Sequence, residues 1–337
     1  ALLDSAEERM RKGIRAIPDG VYSFDDDFDH PEIDDVHVFG VTVTVKGEEM
    51  HLAFRAPPQV RASVNVVKSA LAASTYYAIK AVADPFGPAN AGLFRPISIS
   101  APDGSMLNAA PPAAVYGRAC GAQRVVDLVH GALAQAIPDR VTAAHNGSVT
   151  GNTYSGVNPR TGKYYVYGET MGGGFGARPT KDGLNGVHTH VTNSANMPIE
   201  ALEIEYPIVV ERYELVEDSG GAGEWRGGMG IHRRVRIEGH ECRADVRGSR
   251  YHKGPWGLNG GKNGGNFHFK FEPPLSAPFK KYTQLKAGQR VSVFTPGGGG
   301  YGDPKKRDRE RVRQDLKEKR ISKQQAREIY GLRDDKP

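Results

Sequence analysis

The chain has 337 residues, enough for a large core in one elaborate domain or two, with 25% charged and 38% hydrophobic residues and a mean hydropathy of -0.51. These are the values of a soluble globular protein, and no apolar run of about 18 residues is present to cross a bilayer. The net charge of +6 comes largely from Lys305 to Lys323, where no aromatic residues are interleaved, so it reads as a solvated helix face and not as a nucleic-acid surface.

The chain opens without methionine inside a helical pattern that runs to about Arg15, with Ser5 and Glu8 spaced as a capping box. It is therefore expected to be a fragment, a processed chain or one piece of a split protein. Pro18-Asp19-Gly20 turns into a strand from Val21 to Phe24, and an acidic loop follows, Asp25 to Asp35 around His30. That loop lacks the glycine of a calcium loop and reads as a solvated turn leading into a hairpin. Val36 to Val45 and Met50 to Phe54 are strands joined by Lys46-Gly47-Glu48. Helical spacing of Val64, Val67, Leu71, Ala78 and Val82 predicts a helix over 60–83, and Ala122, Val125, Val129 and Leu133 predict another over 117–136. Cys120 and Cys242 form no Cys-x-x-Cys pair, which fits a reducing cytoplasm.

Composition then changes. Of 42 glycines, 15 precede residue 171, 26 lie between 171 and 302 and one follows. They alternate with aromatic and charged residues, so the region reads as ordered, loop-rich β structure. Its strands are expected at 164–167, 208–215, 232–237, 267–271 and 290–294. A charged helix from Arg307 to Lys319 and a shorter one capped by Ser322, with Gln325 in capping-box position, close the chain. The expected fold is α+β: mixed helices and strands over 1–150, a glycine-rich β-dominated part over 151–303 and a charged helical tail over 304–337.

Chemistry-bearing residues concentrate between Gly168 and Glu203. Glycines beside Arg178 would expose backbone N–H groups to a carboxylate or phosphate, with Gly173 and Gly174 at the centre of the loop. His188 and His190, two apart, would share one face of a strand and could bind one metal ion with an oxygen from Asp182 or Glu200, or could simply hydrogen-bond within a polar loop. Glu203 and Glu205, if extended, would pair as acid and base or hold arginines. His145 is more isolated, a lining residue. Gly297 to Gly302 has G-x-G-x-x-G spacing, but Asp303-Pro304 follows in place of a βαβ helix. Ser219 lacks a nucleophile elbow, and no P-loop occurs.

Several stretches together resemble the C-terminal part of the hydantoinase B/oxoprolinase family. They are Pro18-Asp19-Gly20, Asn90-Ala91-Gly92 with Arg95-Pro96-Ile97, Gln123-Arg124-Val125, Gly173 to Arg178 with Asp182-Gly183, Asn193, and Asn196 to Glu203. Asp218 to Gly223, Arg226 to Gly230, Pro255 to Leu258 with Gly260-Gly261, Thr295 to Pro304 and Tyr330-Gly331 continue the match in order. Two departures stand out. An upstream histidine/aspartate segment, to which the family's metal ligands are attributed, is absent, and Ala53 to Pro58 replaces an Asp-Phe-Ser-Gly-Thr-like run before Gln59. The resemblance implies ATP-dependent hydrolysis of a cyclic amide, with ATP bound by a hydantoinase A-like partner in a hetero-oligomer and the upstream half on a separate chain or missing. A ketone carboxylase subunit and a catalytically silent subunit are the alternatives. On chemistry, Asp182, His188 and His190 would act on substrate or metal, while Gly173, Gly174, Arg178, Asn193, Asn196 and Glu200 would bind substrate.

Overall fold

The computed structural model describes residues 1–275 and 282–332 and has the expected α+β character. It divides into two compact units, Ala1–Asp29 with Asp35–Thr142, and His30–Asp34 with Ala143–Pro337. Among the described residues, no helix is long and apolar enough to cross a membrane.

In the first unit, α1 (Leu2–Arg15) precedes β1 (Gly20–Phe28), β2 (His37–Lys46) and β3 (Glu49–Arg55), an antiparallel meander extended by β4 (Ile97–Ser100) parallel to β3. Helix α1 begins at Leu2, so Ser5 and Glu8 lie inside it and do not cap it. Asp25 to Asp27 belong to β1 and not to a loop. Helix α2 covers Lys68–Ala83, shorter than its apolar spacing predicts. Asn65 explains the difference. Its buried side chain accepts from Val60 N–H and donates to the carbonyls of Val60, Ala62 and Ala114, so the preceding segment is held as a loop.

Helix α3 (Arg118–Leu133) packs on β1, β2 and α2 and is buried from Cys120 to Leu133. The sequence pattern marks only one apolar face. The polar residues on the other faces are also inside, and Arg124 is accommodated by the Asp27 carbonyl, by Asp26 at 3.4 Å and by the Phe28 ring. A Cβ at Gly131 would lie 2.6 Å from the Phe24 ring, so glycine sets how closely helix and strand approach.

In the second unit, β5 (Thr150–Val157) and β6 (Tyr164–Met171) form a hairpin, followed by α4 (Ile199–Glu205), β7 (Ile208–Leu215), β8 (Ile231–Ile237), β9 (Cys242–Arg247), β10 (His268–Glu272), β11 (Thr283–Leu285) and β12 (Arg290–Phe294). Two antiparallel sheets result, ordered β10-β12-β8-β7 and β11-β9-β5-β6. Their shared core includes Tyr154, Tyr167, Val235, Ile237, Val246, Val291 and Val293. Inward and outward residues alternate as period-two burial requires.

The glycine-rich stretches form something else. Gly297 N–H donates to Gly265 O and, three residues on, Gly300 N–H donates to Lys262 O; Gly298 donates to Gly228 O and Tyr301 to Trp225 O; Gly299 donates to Ala144 O. Successive residues thus bond to different neighbours, and the first two neighbours recur after three residues. That is the period of a polyproline II helix, which has no internal hydrogen bonds and must satisfy its amides outward. The same period governs packing. A Cβ on Gly297 would sit 1.7 Å from Ser219 O and one on Gly300 2.3 Å from Ala222 O, while Gly298 and Gly299 meet Phe175 O and Trp256 O at 2.2 and 2.0 Å. The expected loops are therefore a bundle of extended segments in backbone-to-backbone contact.

Helices α5 (Arg309–Lys317) and α6 (Lys323–Glu328) pack Val312, Ile321, Ala326 and Tyr330 around Ala222 of the bundle. Ser322 caps α6 as its sequence implies, accepting from Gln325 N–H. Gly298→Ala should destabilise the protein by about 3 kcal/mol or more, since a methyl has no room among fixed backbone. Gly168→Ala, whose nearest neighbour is Thr153 Oγ1 at 3.5 Å, should be neutral or stabilising by up to about 1 kcal/mol. Urea unfolding midpoints of the two variants measure the contrast.

Candidate functional site

Three segments of the second unit meet at His145. Asn146 N–H donates to Gly174 O at 2.9 Å and Ala143 N–H to Ala177 O at 3.0 Å, which lays residues 143–146 along 174–177. Gly173 and Val187 exchange two backbone hydrogen bonds, of 3.0 and 2.8 Å, and bring in the segment that carries His188 and His190. The His145 ring is thereby held edge-on between Phe175 and His190, with ring centroids 3.9 and 4.0 Å away. Arg178 extends the cluster, its guanidinium 5.8 Å from the Phe175 ring.

One hydrogen bond sets the chemistry of this cluster. Gly176 N–H donates to His145 Nδ1 at 2.9 Å, so a neutral His145 carries its proton on Nε2 and acts there as a donor. His145 is 1% exposed, whereas His190 is partly exposed with its ring Nε2 buried. To ligate a cation, His145 would have to give up the Nε2 proton.

The strand face expected for His188 and His190 is not present. The chain leaves the Val187 bridge and turns, with Thr192 N–H donating to Thr189 O and His190 at φ 49. His190 joins His145. His188 takes no part in the ring contacts of this cluster: its Nε2 is buried without a hydrogen-bond partner, and burial pushes its pKa below the usual histidine value.

The glycine loop is also built differently from an anion nest. The N–H groups of Gly173, Gly174, Phe175, Gly176, Ala177 and Arg178 donate to Val187 O, Pro296 O, Leu184 O, His145 Nδ1, Gly299 O and Lys181 O. None is left for a phosphate. Gly173 and Gly174 serve close packing, a Cβ on Gly174 falling 2.0 Å from Gly228 O. Asn193 and Glu200 are exposed, the latter in the first turn of α4. Glu203 and Glu205 do not form an extended pair, because both lie in α4 and Glu203 accepts Val210 N–H. Asn196 is better placed. It donates to Glu169 Oε2 at 3.1 Å and Thr170 O at 2.9 Å, and it accepts from Tyr213 O–H.

The family described as Hydantoinase B/oxoprolinase matches residues 1–304, a span that contains His145, His190 and the whole 172–178 loop. The chain belongs to the hydantoinase B/oxoprolinase family. An uncharacterized protein of Methanocaldococcus jannaschii is 38% identical over 98% of the chain and 58% of its own length. Caprolactamase subunit beta of Pseudomonas jessenii is 32% identical over 98% of the chain and 60% of its own length. The crystal structure of the ATP-dependent caprolactamase from Pseudomonas jessenii aligns with a TM-score of 0.83 at 27% identity, covering 99% of this chain and 60% of that one. The chain therefore spans about three fifths of the length of these relatives.

In this hydantoinase B/oxoprolinase chain Asp182 is committed to a clamp. Its two carboxylate oxygens accept from Arg307 at 2.7 and 2.8 Å, and Oδ1 also accepts Arg226 N–H at 2.7 Å. Arg307 goes on to Asp315 and to Glu224 O, which ties the C-terminal helices to the glycine bundle. Burial alone would raise the Asp182 carboxyl, but the hydrogen bonds and charge of Arg307 outweigh it and hold the pKa below the usual carboxylate range. Asp182→Asn should cost about 3 kcal/mol at pH 7, because it leaves a buried guanidinium short of charge. The stabilisation is complete above the unfolded carboxyl pKa of about 3.9 and is lost as pH falls through the lower folded value. The gap between wild type and variant in urea midpoint should accordingly shrink between pH 7 and about pH 3.

Proposed function

We propose that this chain is a subunit, or part of one, of an ATP-dependent cyclic-amide hydrolase that works with a hydantoinase A-like partner. Family membership and the similarity to caprolactamase subunit beta support the reaction class. ATP, held by the partner, would supply activation of the unreactive amide. The N–H groups from Gly173 to Arg178 are taken up within the fold, in keeping with that division.

The observation that carries the proposal is the His145–His190 pair beside Phe175. Opening a cyclic amide requires a proton at the departing nitrogen, and a positioned imidazole is the side chain suited to move one near neutral pH. His190 takes that role from its partly exposed position. His145 is the positioning residue: Gly176 fixes its tautomer, and its ring edge fixes His190. Arg178 and Phe175 bound the same space and would orient the substrate.

With the partner subunit reconstituted, ATP-dependent ring opening of hydantoin, 5-oxoproline or caprolactam, followed by product mass, tests the reading. His190→Asn should lower kcat by about 10²–10⁴-fold with KM little changed, the range for loss of a general acid or base. It should also remove one limb of the pH profile. Unaltered turnover in His190→Asn, or an assembled complex that opens no cyclic amide, would defeat the proposal; product formed only with bicarbonate would move it to ketone carboxylation.

A further inference from the structure

Between the two sheets of the second unit lies a charged pair that an apolar core does not need. Arg233 occupies an inward position of β8, in phase with Ile231, Val235 and Ile237, and is 0% exposed. From the facing sheet, β6 brings Glu169 Oε1 to 2.8 Å from Arg233 Nε, and β5 places Asn152 directly across from Glu169. Part of this cluster is complete. Glu169 Oε2 accepts from Tyr167 O–H at 2.8 Å and from Asn196, while Asn152 Nδ2 donates to Tyr154 O–H at 3.1 Å. The remainder is not: Arg233 Nη1 and Nη2 donate to nothing and Asn152 Oδ1 accepts from nothing, although all three atoms are buried. Buried polar atoms of this kind are ordinarily satisfied, and an orphaned set is where a polar occupant would bind.

The chemistry of the gap defines that occupant. Arg233 and Glu169 already neutralise each other, so an ionic guest would bring an uncompensated charge into the interior. What fits is a neutral group with an acceptor for the Nη donors and a donor for Asn152 Oδ1, which is the –CO–NH– edge of an amide. The approach is also built. The Tyr213 ring lies 4.7 Å from the Arg233 guanidinium, and Tyr213, 44% exposed, lines a surface pocket of about 240 Å³ together with Leu215, Ile231, Asn185, Gly186 and Glu214. Its hydroxyl is tied to Asn196 at 3.0 Å. Tyr213 thus borders both this pocket and the unpaired hydrogen-bond donors.

We infer that Arg233, Asn152 and Glu169 form a recognition subsite for a small cyclic amide, its methylenes against Leu215, Ile231 and Tyr213 and its amide edge on Arg233 and Asn152. The choice of a cyclic amide rests on the reading proposed above. Asn196 links the subsite to His190, since both belong to the segment after Val187.

Binding of 2-piperidone and of N-methyl-2-piperidone, measured calorimetrically without ATP or partner, tests the inference. The N-methyl analogue keeps the carbonyl and loses the donor, so 2-piperidone should bind at least tenfold tighter, as a site built to hydrogen-bond a group rejects the analogue lacking it. Asn152→Leu should abolish that preference. Equal affinity of the two ligands for the wild type, retention of the preference in Asn152→Leu, or a soaked crystal in which Arg233 Nη1 and Nη2 meet only ordered water would each overturn it. The wild-type comparison decides the matter even if the variant does not fold. Ring-opening activity without any binding preference would remove the subsite and leave the hydrolase reading intact, whereas preferential binding without turnover would do the reverse.

Discussion

The second unit depends on the absence of a side-chain atom. Along Gly297 to Gly300 the carbonyl oxygens of Ser219, Phe175, Trp256 and Ala222 occupy the places where Cβ atoms would stand. That contact lets neighbouring segments exchange backbone hydrogen bonds with no sheet ladder between them. Glycine loses more conformational entropy on folding than any other residue, and the compensation here is collective: every segment of the bundle is held by several others. The Arg307 clamp on Asp182, Asp315 and the Glu224 carbonyl adds fixed charge where the C-terminal helices join it.

Rigidity of this kind explains how a lone backbone amide can define an imidazole. Gly176 cannot shift without disturbing Ala177, which donates to Gly299, or Phe175, which donates to Leu184 and accepts from Gly228. Its N–H is consequently a fixed point, and His145 takes its tautomer from it. The amides of Gly173, Gly174 and Gly176 are taken up within the fold. They convert backbone position into side-chain chemistry at His145 and, through ring contact, at His190.

Much of this architecture could be read from the sequence, and the failures have a common cause. Alternating or helically spaced apolar residues located 208–215, 290–294 and α1 to the residue or nearly so, because burial of one face leaves a period in the hydrophobicity. The bundle leaves none. Its period of three lies in hydrogen-bond direction, and with glycine at most positions no side chain records it, so the stretch reads as loops. Strand β5 leaves no clear pattern for a related reason: Gly151, Asn152 and Gly156 lower its strand character, yet Tyr154 and Asn152 are buried together. Asp182 looked catalytic because Arg307, its partner, lies 125 residues away. His145 looked isolated because Gly176 is 31 residues distant. Arg233 did carry a visible signal, a charge in the inward phase of Ile231 to Ile237.

The segment from Val187 to Asn196 joins these features. At one end it is fixed to the bundle by the paired hydrogen bonds between Gly173 and Val187. At the other, Asn196 is fixed by Glu169, Thr170 O and Tyr213. Between them His190 adopts a left-handed backbone conformation that a non-glycine residue holds only when its surroundings impose it. Val191 and Asn193 to Ala195 are exposed. A segment anchored at both ends, strained at its histidine and open in its middle is suited to present a proton-transfer group without reorganising when substrate arrives. The ordering entropy has been met in folding, by the glycine bundle on one side and the buried Arg233–Glu169 pair on the other.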